Sequence, residues 1–511
     1  MTESVPHEGR SPDGPSKARE LSPPEPPAAA HRESTAHRVP FVIPPELLDP
    51  DAVKTLRRMI HFGHTSYLVG GCVRDLVLGR QPKDFDISTT ARPRQVRRYF
   101  RNSRVVGRRF RLAHVLYGDK VIEVATFRAH LEDGAADDDE ADIDVPDTSP
   151  EPALPRDLLI RRDNVFGGPE DDARRRDFTI NGLFYDIDEQ VIIDHVGGMD
   201  DLARRVIRTI GDPEVRFPED PVRILRAIKF AARLDFAFDF ASFQAMRRHR
   251  ADILRCAAPR VLEEIQRMLR AGCGVRTFDL LIETSVLEVI LPEVASVLAN
   301  RPEQLDLYRR GFAVLDHMVH DGYEPTAAVL FGLLYFPVTN LIDSLADPSH
   351  ERWRASFLEF ESMMEAAARR LSLPRKDFGR LHQAAALQRR LAPGPRKRRF
   401  SRGAIARQPC FEEALILFRI HAESTGHYTE EMMRWQEAFA AVQEERRHAP
   451  ARPSSANGAA AGGGGGNDDD ERPESDPSHR PAGRRRRRRR RGGRGRGHGS
   501  ASGAALRHPP G

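Results

Sequence analysis

Two aspartates stand two residues apart in the run KDFDIST, shortly after a pair of glycines. If the run is a strand, Asp84 and Asp86 share one face and the apolar residues between and after them point into the core. Gly70 and Gly71 start a predicted helix, where backbone N–H groups can approach phosphate oxygens because glycine has no side chain. Carboxylates beside a phosphate site suit Mg²⁺. The pattern predicts a site for a nucleoside triphosphate and its magnesium.

The segment between the glycines and the aspartates is predicted to be a short amphipathic helix. Val73, Leu76 and Val77 form its apolar side, and Gly79 is placed to end it. Arg74 lies in the first turns and can face the phosphates. The alternative is a glycine turn followed by a surface strand whose carboxylates are solvated.

Three ordered blocks of the chain resemble one family. The first combines GGCVRDLVLG with KDFDIST, the second is RRDFTIN at Arg175 to Asn181, and the third is EDPVRILRAIKFAARLDF at residues 219–236. They resemble the class of nucleotidyltransferases that contains bacterial poly(A) polymerases and CCA-adding enzymes. Residues 100–118, 122–128 and 162–167 are similar to the bacterial poly(A) polymerase I branch, as is the arginine-rich C-terminal tail.

The resemblance implies an α+β fold, in which a nucleotidyltransferase head with a mixed β-sheet precedes an all-α neck and body. The implied reaction is attack by an RNA 3′-hydroxyl on the α-phosphate of ATP, with Mg²⁺ at a two-metal site and release of pyrophosphate. A CCA-adding tRNA nucleotidyltransferase would share the same catalytic residues. A non-catalytic RNA-binding scaffold is a third interpretation, although it need not retain the aspartates.

The resemblance also assigns roles to single residues. Asp84, Asp86 and Asp177 are the expected catalytic residues, and Asp84 and Asp86 the expected magnesium ligands. Asp177 could also cap a helix that begins at Phe178, since aspartate is favoured at that position. The expected nucleotide-binding residues are Gly70, Gly71, Arg74, Arg176, Asp220, Arg223, Arg226 and Lys229.

The third block is predicted to be a helix with one polar side. At 100° per residue, Asp220, Arg223, Arg226 and Lys229 occupy one half of the helical wheel. The resemblance implies that Asp220 and Arg223 read the base edge and that the next two cations support them. CCA-adding relatives often carry arginine where this chain has Lys229. The pair formed by Asp220 and Pro221 is also a good helix cap and first turn, which needs no function.

Glu123 is a candidate third metal ligand. It lies between the apolar residues Ile122 and Val124 in a predicted strand, so its side chain points to the opposite face of the sheet. That face could carry Asp84 and Asp86, but a solvated strand acid is equally compatible with the pattern.

Composition divides the 511-residue chain into five predicted regions. Both ends are poor in apolar periodicity, which leaves about 410 residues to fold. The regions are a disordered segment at 1–38, the head at 39–212, the neck with its nucleotide-recognition helix at 213–275, the helical RNA-binding body at 276–447 and a disordered arginine-rich tail at 448–511. Within the head, residues 131–155 form a predicted mobile insert; ten acids and no base lie between Leu131 and Glu151.

The net charge of +5 conceals a basic tail, since residues 450–511 hold fourteen arginines and six acids. Such tails suit phosphate backbones, although a solubilising role is the simpler alternative. A second cationic cluster follows a Pro-Gly-Pro break and is either an RNA contact or a solvated loop. The predicted RNA-binding residues are Arg396, Lys397, Arg398 and Arg399 in this loop, and Arg484, Arg485, Arg486, Arg487, Arg488, Arg489, Arg490 and Arg491 in the tail.

Other sequence features limit the location and partners of the protein. Four scattered cysteines show neither disulfide nor zinc spacing. No secretory signal or membrane-spanning run is evident, so we expect a cytoplasmic protein that does not contact membranes. ATP and RNA 3′ ends, of mRNA or structured fragments, are the expected substrates. RNA-decay proteins are further expected partners.

Overall fold

The computed structural model describes residues 36–107, 111–128, 166–347, 351–393 and 401–448. Several predicted features lie wholly or mostly outside these residues: the end segments at 1–38 and 448–511 with the arginine run at 484–491, the acidic insert at 131–155, the segment 162–167 and the cations at 396–399. The described residues belong to one compact unit. Its first strand begins at His37, two residues before the predicted start of the head.

An eight-stranded mixed sheet organises the described part of the head. The strands lie in the order β1-β8-β7-β2-β3-β6-β5-β4, and all neighbours are antiparallel except the parallel pair β3 and β6. In chain order they are β1 (His37–Pro40), β2 (Ser66–Val69), β3 (Asp86–Thr89), β4 (Ser103–Val106), β5 (Leu112–Tyr117), β6 (Lys120–Thr126), β7 (Leu183–Asp186) and β8 (Val191–Asp194). The predicted mixed sheet is confirmed.

Register within this sheet brings two parts of the sequence pattern together. Val69, the last residue of β2, pairs with Asp86, the first residue of β3. The glycine turn that follows β2 therefore lies beside the start of β3. Asp84 precedes the strand, so the prediction that one strand carries both aspartates was wrong by two residues. The alternation nevertheless holds, since Phe85 and Ile87 are buried.

Five short helices pack around the sheet. Sequence signals explain the first, because Asp49 Oδ1 accepts hydrogen bonds from the backbone N–H groups of Asp51 and Ala52 while Pro50 occupies the first helical position. Leu56 and Met59 of that helix are fully buried in the same core as Leu68 and Ile87. The helices are α1 (Pro50–His61), α2 (Gly71–Val77), α3 (Pro93–Tyr99), α4 (Pro169–Arg174) and α5 (Gly198–Arg204).

Helices dominate after residue 212, as predicted. One short parallel pair of strands, β9 (Val206–Ile207) and β10 (Ala237–Phe238), crosses the predicted boundary between head and neck. The helices are α6 (Pro213–Glu219), α7 (Val222–Leu234), α8 (Phe240–His249), α9 (Ala258–Leu269), α10 (Gly274–Glu283), α11 (Leu287–Ile290), α12 (Pro292–Asn300), α13 (Gln304–His320), α14 (Ala327–Val338), α15 (Glu351–Leu371), α16 (Arg375–Leu391), α17 (Arg402–Ala406), α18 (Phe411–Thr425) and α19 (Thr429–His448).

The helical region is built around α14. Nearly all residues of this helix are buried, and α13, α16 and α18 pack on it. A helix that is apolar on all sides is stable only inside such a core. The predicted division between neck and body at residue 275 falls inside α10, which packs on both α7 and α13. The division into neck and body therefore remains a proposal. In the described residues, no helix is long and apolar enough to cross a membrane.

Candidate functional site

A cavity of about 560 Å³ is lined by residues of the head and of helices α7 and α9. Its size suits a nucleotide. Eight of its lining side chains are basic and five are acidic, so the lining complements a polyanion. The predicted site residues that line it are Gly70, Gly71, Arg74, Asp84, Asp86, Arg176, Asp177, Asp220, Arg223 and Arg226. Three separate sequence blocks thus meet at one place.

The glycine turn is constrained mainly at Gly70. Its φ of 75° lies in the region that favours glycine, and a Cβ atom there would lie 2.9 Å from Arg176 Nη1. Gly71 is the first residue of α2, and a Cβ atom there would lie 3.7 Å from Arg74 Nη2, which is ordinary contact. Gly79 adopts a φ of 65° after the helix, as predicted for its end. The close approach of Gly70 to Arg176 fixes the geometry of the turn.

Asp86 is a partly buried carboxyl group with two acidic neighbours. Burial, with help from Glu123 and Asp84, raises its pKa to about 6, while Arg176 acts in the opposite direction. The ionised form is therefore costly until a cation approaches. Asp84 is exposed and shares the cavity with it.

Glu123 occupies the register position in β6 that pairs with Asp86. Its side chain is 49% exposed, lies 3.4 Å from His114 Nε2, and does not line the cavity. Among the described residues, the carboxylates of Glu123, Asp84 and Asp86 do not gather within 4.8 Å of one another. The structure thus places Glu123 next to Asp86 without bringing it into a three-carboxylate cluster.

Arg74 is almost completely buried and is held by two side chains. Its Nε and Nη2 atoms donate to Asp75 Oδ1 at 2.9 and 2.7 Å, and Nη1 donates to Asn181 Oδ1 at 2.7 Å. The second oxygen of Asp75 accepts from Arg233 at 3.1 Å. The guanidinium also lies over the Phe230 ring, 5.2 Å from its centroid. This network fixes Arg74 at the cavity wall.

Arg176 is positioned by buried groups below the glycine turn. Asp172 Oδ2 accepts from its Nη2 at 2.8 Å, and Ser88 Oγ lies 3.3 Å from the same nitrogen. Asp172 is fully buried, and although burial opposes ionisation, Arg176 and Arg175 lower its pKa. The guanidinium therefore faces the cavity from a fixed anchor.

Asp177 joins the head to α7. Its Oδ2 lies 2.5 Å from Arg226 Nη2, and its Oδ1 accepts from the Phe178 backbone N–H and the Asn181 side chain. Burial alone would raise its pKa, but Arg226 and Asn181 outweigh burial and lower the pKa to about 2. The predicted helix cap was wrong, because the short 3₁₀ helix Thr179–Asn181 has no side-chain cap.

Asp220 and Arg223 lie at the start of α7, but Asp220 does not cap it. The Asp220 side chain turns to Arg260, with Oδ2 2.8 Å from Nη2, and only its backbone oxygen accepts from the helix. The predicted capping role of the Asp220 side chain was therefore wrong. Its Oδ1 is buried and has no hydrogen-bond partner among the described residues. Arg223 Nη1 donates to the Arg216 carbonyl at 2.7 Å and to Glu219 at 3.1 Å.

Lys229 is turned away from the cavity. Its Nζ donates to Glu264 Oε2 at 2.6 Å, and burial lowers its pKa despite that partner. It does not line the cavity, because its ammonium group pairs with Glu264 on α9. The helical wheel predicted Lys229 on the same face as Arg223 and Arg226, but the structure places only the two arginines at the cavity.

Two regions of the chain match known family models. Residues 66–208 match the "Poly A polymerase head domain", and residues 235–298 match the "Probable RNA and SrmB-binding site of polymerase A". Poly(A) polymerase I of Escherichia coli O6:H1 is 36% identical over 381 residues, which cover 74% of this chain and 79% of the relative. The Haemophilus influenzae enzyme of the same name is 32% identical over 408 residues, or 77% and 85% of the two chains.

The chain belongs to the bacterial poly(A) polymerase I family. It is therefore an enzyme of the nucleotidyltransferase class. The family also has more distant relatives, since the CCA-adding enzyme of Bacillus subtilis (strain 168) is 32% identical over 237 residues, or 46% of this chain and 54% of the relative. A crystal structure of the Bacillus stearothermophilus CCA-adding enzyme with CTP covers 80% of this chain and 90% of its own, with a TM-score of 0.54 and 24% identity. That likeness confirms the predicted fold.

Several residues that line this cavity were not predicted from the sequence. Arg233 continues the spacing of Arg226 and Lys229 on α7 and could have been found by extending the helical wheel. Arg260 and Arg267 lie seven residues apart on α9. Nothing in the local sequence indicates that α9 packs on α7 and so brings these two arginines to the cavity. The unpredicted lining residues are Cys72, Asp75, Lys83, Asn181, Phe230, Arg233, Arg260 and Arg267.

The donor set of the cavity fits magnesium. Asp84 and Asp86 supply hard oxygen ligands, and Mg²⁺ in nucleotide sites typically uses one or two carboxylates plus phosphate oxygens and water. A cation would also relieve the crowding that raises the pKa of Asp86. Both aspartates are therefore suitable ligands.

Proposed function

We propose that this enzyme adds AMP from ATP to RNA 3′ ends without a template and releases pyrophosphate, in RNA processing and decay in the cytoplasm. The observation that supports nucleotide addition is the cavity, where two carboxylates, a glycine turn and a buried aspartate paired with a partly exposed arginine meet. Polyadenylation is preferred to CCA addition because the poly(A) polymerase relatives align with a larger share of the chain. The poly(A) polymerase I relatives align over 74–77% of the chain, whereas the Bacillus subtilis CCA-adding enzyme aligns over 46%.

The head supplies the groups for the phosphates. Asp84 and Asp86 would hold Mg²⁺, which when bound lowers the pKa of the RNA 3′-hydroxyl and neutralises the triphosphate. Arg176 presents its guanidinium to the phosphate oxygens from its anchor on Asp172. Gly70 allows the backbone to approach the same oxygens. Asp177 acts by holding Arg226, so its part in the reaction is positioning.

Helix α7 supplies the groups for the base. The buried Asp220 Oδ1 is an acceptor that still needs a donor, and the exocyclic amine of adenine is such a donor. Arg223 is held beside it by Glu219 and the Arg216 carbonyl. An amine of cytosine could meet the same oxygen, so this pair explains a preference for amino-bearing bases, not the choice between ATP and CTP. In this proposal the cationic loop and the arginine tail bind the RNA, and RNA-decay proteins are partners.

The proposal is tested by giving the purified full-length enzyme each nucleoside triphosphate separately. Two RNAs serve as primers, a generic single-stranded RNA and a tRNA that lacks its terminal CCA. We expect long A tails on both RNAs with ATP and little addition with the other nucleotides. Addition that stops after C, C and A on the tRNA alone would identify a CCA-adding enzyme instead.

The control for this assay is Asp84→Asn at matched protein concentration. Addition by the folded variant above about a tenth of the wild-type turnover would mean either that Asp84 is not a metal ligand or that a contaminating enzyme is present. If neither RNA is extended by the wild type with any nucleotide, the non-catalytic RNA-binding scaffold becomes the better interpretation.

A further inference from the structure

Two histidines and an aspartate meet on the helical body, outside the nucleotide cavity. The donor atoms of Asp343, His421 and His427 all lie within 4.8 Å of one another. Asp343 begins the 3₁₀ helix Asp343–Ala346 after α14, His421 lies on α18, and His427 lies in the turn between α18 and α19. Neither the nucleotide cavity nor the proposed reaction uses these residues. Imidazole and carboxylate are ligands that suit zinc.

The backbone holds the two histidines in fixed relation to each other. They are separated by five residues, within the His-x₃₋₅-His spacing common in zinc sites. Gly426 ends α18 with a φ of 77°, which reverses the chain direction. The Thr425 hydroxyl donates to the His421 carbonyl at 2.8 Å and accepts from the His427 backbone N–H at 3.2 Å. The turn therefore returns His427 toward the ring of His421.

His421 has a buried nitrogen that needs a partner. Its side chain is only 10% exposed, and Nε2 makes no hydrogen bond within the described residues although Asp343 Oδ1 lies 3.4 Å away. A buried imidazole nitrogen that lies this close to a carboxylate oxygen without a hydrogen bond is a suitable metal ligand, and the carboxylate is a suitable second one.

The distances also fit a tetrahedral ion. Ligands about 2.0–2.2 Å from a tetrahedral zinc lie about 3.3–3.5 Å apart, and the separation of His421 Nε2 and Asp343 Oδ1 is 3.4 Å. His427 is exposed, so its ring can close the remaining gap by rotating. A cavity of about 30 Å³ borders Asp343 and His421, which is enough for one water as a fourth ligand.

We propose that Asp343, His421 and His427 form a zinc-type site that fastens the segment after α14 to the turn between α18 and α19. The cysteine spacing could not indicate this site, because its ligands are two imidazoles and a carboxylate. Asp343 is also distant in the sequence from the two histidines. The site is independent of nucleotide addition, and its test does not require activity.

The test measures zinc bound per chain in the full-length protein after equilibrium dialysis against Zn²⁺ without magnesium. The variants are Asp343→Asn, His427→Ala and His421→Ala, and the control is His382→Ala, a histidine that pairs with Glu361 on the same body. Because other groups of the chain can also bind zinc, the result is the difference between the wild type and each variant. We expect each variant to lose one zinc per chain and the control to lose none.

Two further measurements complete the test. Zn²⁺ should raise the Tm of the wild type and of His382→Ala but not of the three variants, since only a cation that prefers the native state stabilises it. Co²⁺ should show the visible absorption of a tetrahedral site in the wild type and lose it in His427→Ala. If His421→Ala does not fold, the zinc content of Asp343→Asn and His427→Ala tests the proposal, because both of these residues are exposed. Equal zinc content in the wild type, Asp343→Asn and His427→Ala would overturn the proposal.

Discussion

Asp177 and Arg226 form an ion pair between the head and helix α7, with 2.5 Å between Oδ2 and Nη2. The carboxylate is only 10% exposed and the arginine side chain 33%. The partners are 49 residues apart in the sequence. The pair therefore joins the element that carries the phosphate site to the element proposed to read the base.

Replacing Arg226 by alanine leaves Asp177 buried without its strongest partner. We expect Arg226→Ala to reduce the free energy of unfolding by about 2–3 kcal/mol at pH 7, less than for a fully buried pair because the arginine is partly exposed. Urea unfolding of the wild type and the variant measures this difference. The double variant Asp177→Asn/Arg226→Ala should lose less than the sum of the single changes, since no unpaired charge remains. Additive effects would show that the pair does not act as a unit.

The same pair predicts a direction for pH dependence. The pKa of Asp177 is lowered to about 2 in the folded protein, so its contribution to stability is present above the unfolded value near 4 and is lost as the pH falls toward 2. The difference in stability between the wild type and Arg226→Ala should therefore shrink over this window. A constant difference from pH 7 to pH 3 would contradict the assignment.

The pKa of Asp86 is shifted in the opposite direction from that of Asp177. Its folded pKa of about 6 exceeds the ordinary value of 3.8, so ionisation of Asp86 destabilises the metal-free protein, and this loss of stability is complete once the pH has risen through about 6. We expect Asp86→Asn to increase the stability of the metal-free enzyme at pH 8 by about 1–3 kcal/mol, while turnover falls below about a tenth of the wild-type value because a metal ligand is lost. Thermal unfolding in EDTA and AMP incorporation measure the two effects. A stabilised variant that retains turnover would refute Asp86 as a metal ligand.

Glu123 is expected to tune Asp86 and not to bind the metal. Its charge helps to raise the pKa of Asp86, and Glu123→Gln should therefore shift the acidic limb of the activity profile to lower pH. Turnover at pH 8 should stay close to that of the wild type, since Glu123 does not line the cavity. The measurement is kcat between pH 5 and pH 9 at saturating Mg²⁺. A large loss on the plateau with no shift of the limb would make Glu123 a metal ligand.

Gly70 and Gly71 provide a matched pair of substitutions. Gly70→Ala introduces a side chain at a φ of 75° and 2.9 Å from Arg176 Nη1, so we expect a loss of about 1–3 kcal/mol in stability and a higher KM for ATP. Gly71→Ala adds a methyl group at a helical position with ordinary contacts, and its stability should equal or exceed that of the wild type. Unfolding curves and ATP titrations of both variants test this contrast. Equal effects would mean that the approach to Arg176 does not constrain the turn.

The sequence was sufficient for the features that depend on local rules. Strand alternation correctly buried Phe85 and Ile87, and the glycine pattern correctly placed both ends of α2. The strand predicted around Glu123 is also present, as β6. These features follow from the period of two in strands and from the conformational freedom of glycine.

The predictions that failed concern side chains whose partners are set by tertiary contacts. Asp177 and Asp220 have the residue type and position of helix caps, but Arg226 and Arg260 offer each carboxylate a charged partner that a backbone N–H cannot match. Lys229 has the right phase on its helix, but Glu264 lies within reach on α9. In each case the deciding partner is at least 35 residues away in the sequence. Local rules carry no information about such partners.

The last prediction concerns Asp220 and Arg223. Because the Asp220 side chain does not cap α7, Asp220→Ala should not cost the stability of a lost cap; it loses only an ion pair with the partly exposed Arg260, worth about 0–1 kcal/mol. The substitution should instead change the nucleotide preference, since the buried Oδ1 is the acceptor proposed for the base amine. We expect Asp220→Ala and Arg223→Ala each to lower the ratio of kcat/KM for ATP over that for UTP, which lacks the amine.

Steady-state kinetics with ATP, CTP and UTP, together with urea unfolding, test this prediction. Glu263→Ala is the control, because Glu263 is 58% exposed and pairs with Arg267 on the same helix as Arg260 without lining the cavity. Arg223→Ala should be the less stable of the two variants, since Arg223 is buried and its loss leaves the Arg216 carbonyl without a donor. If nucleotide preference is unchanged in both folded variants, the start of α7 has a structural role only, and base selection must come from the cations of α9.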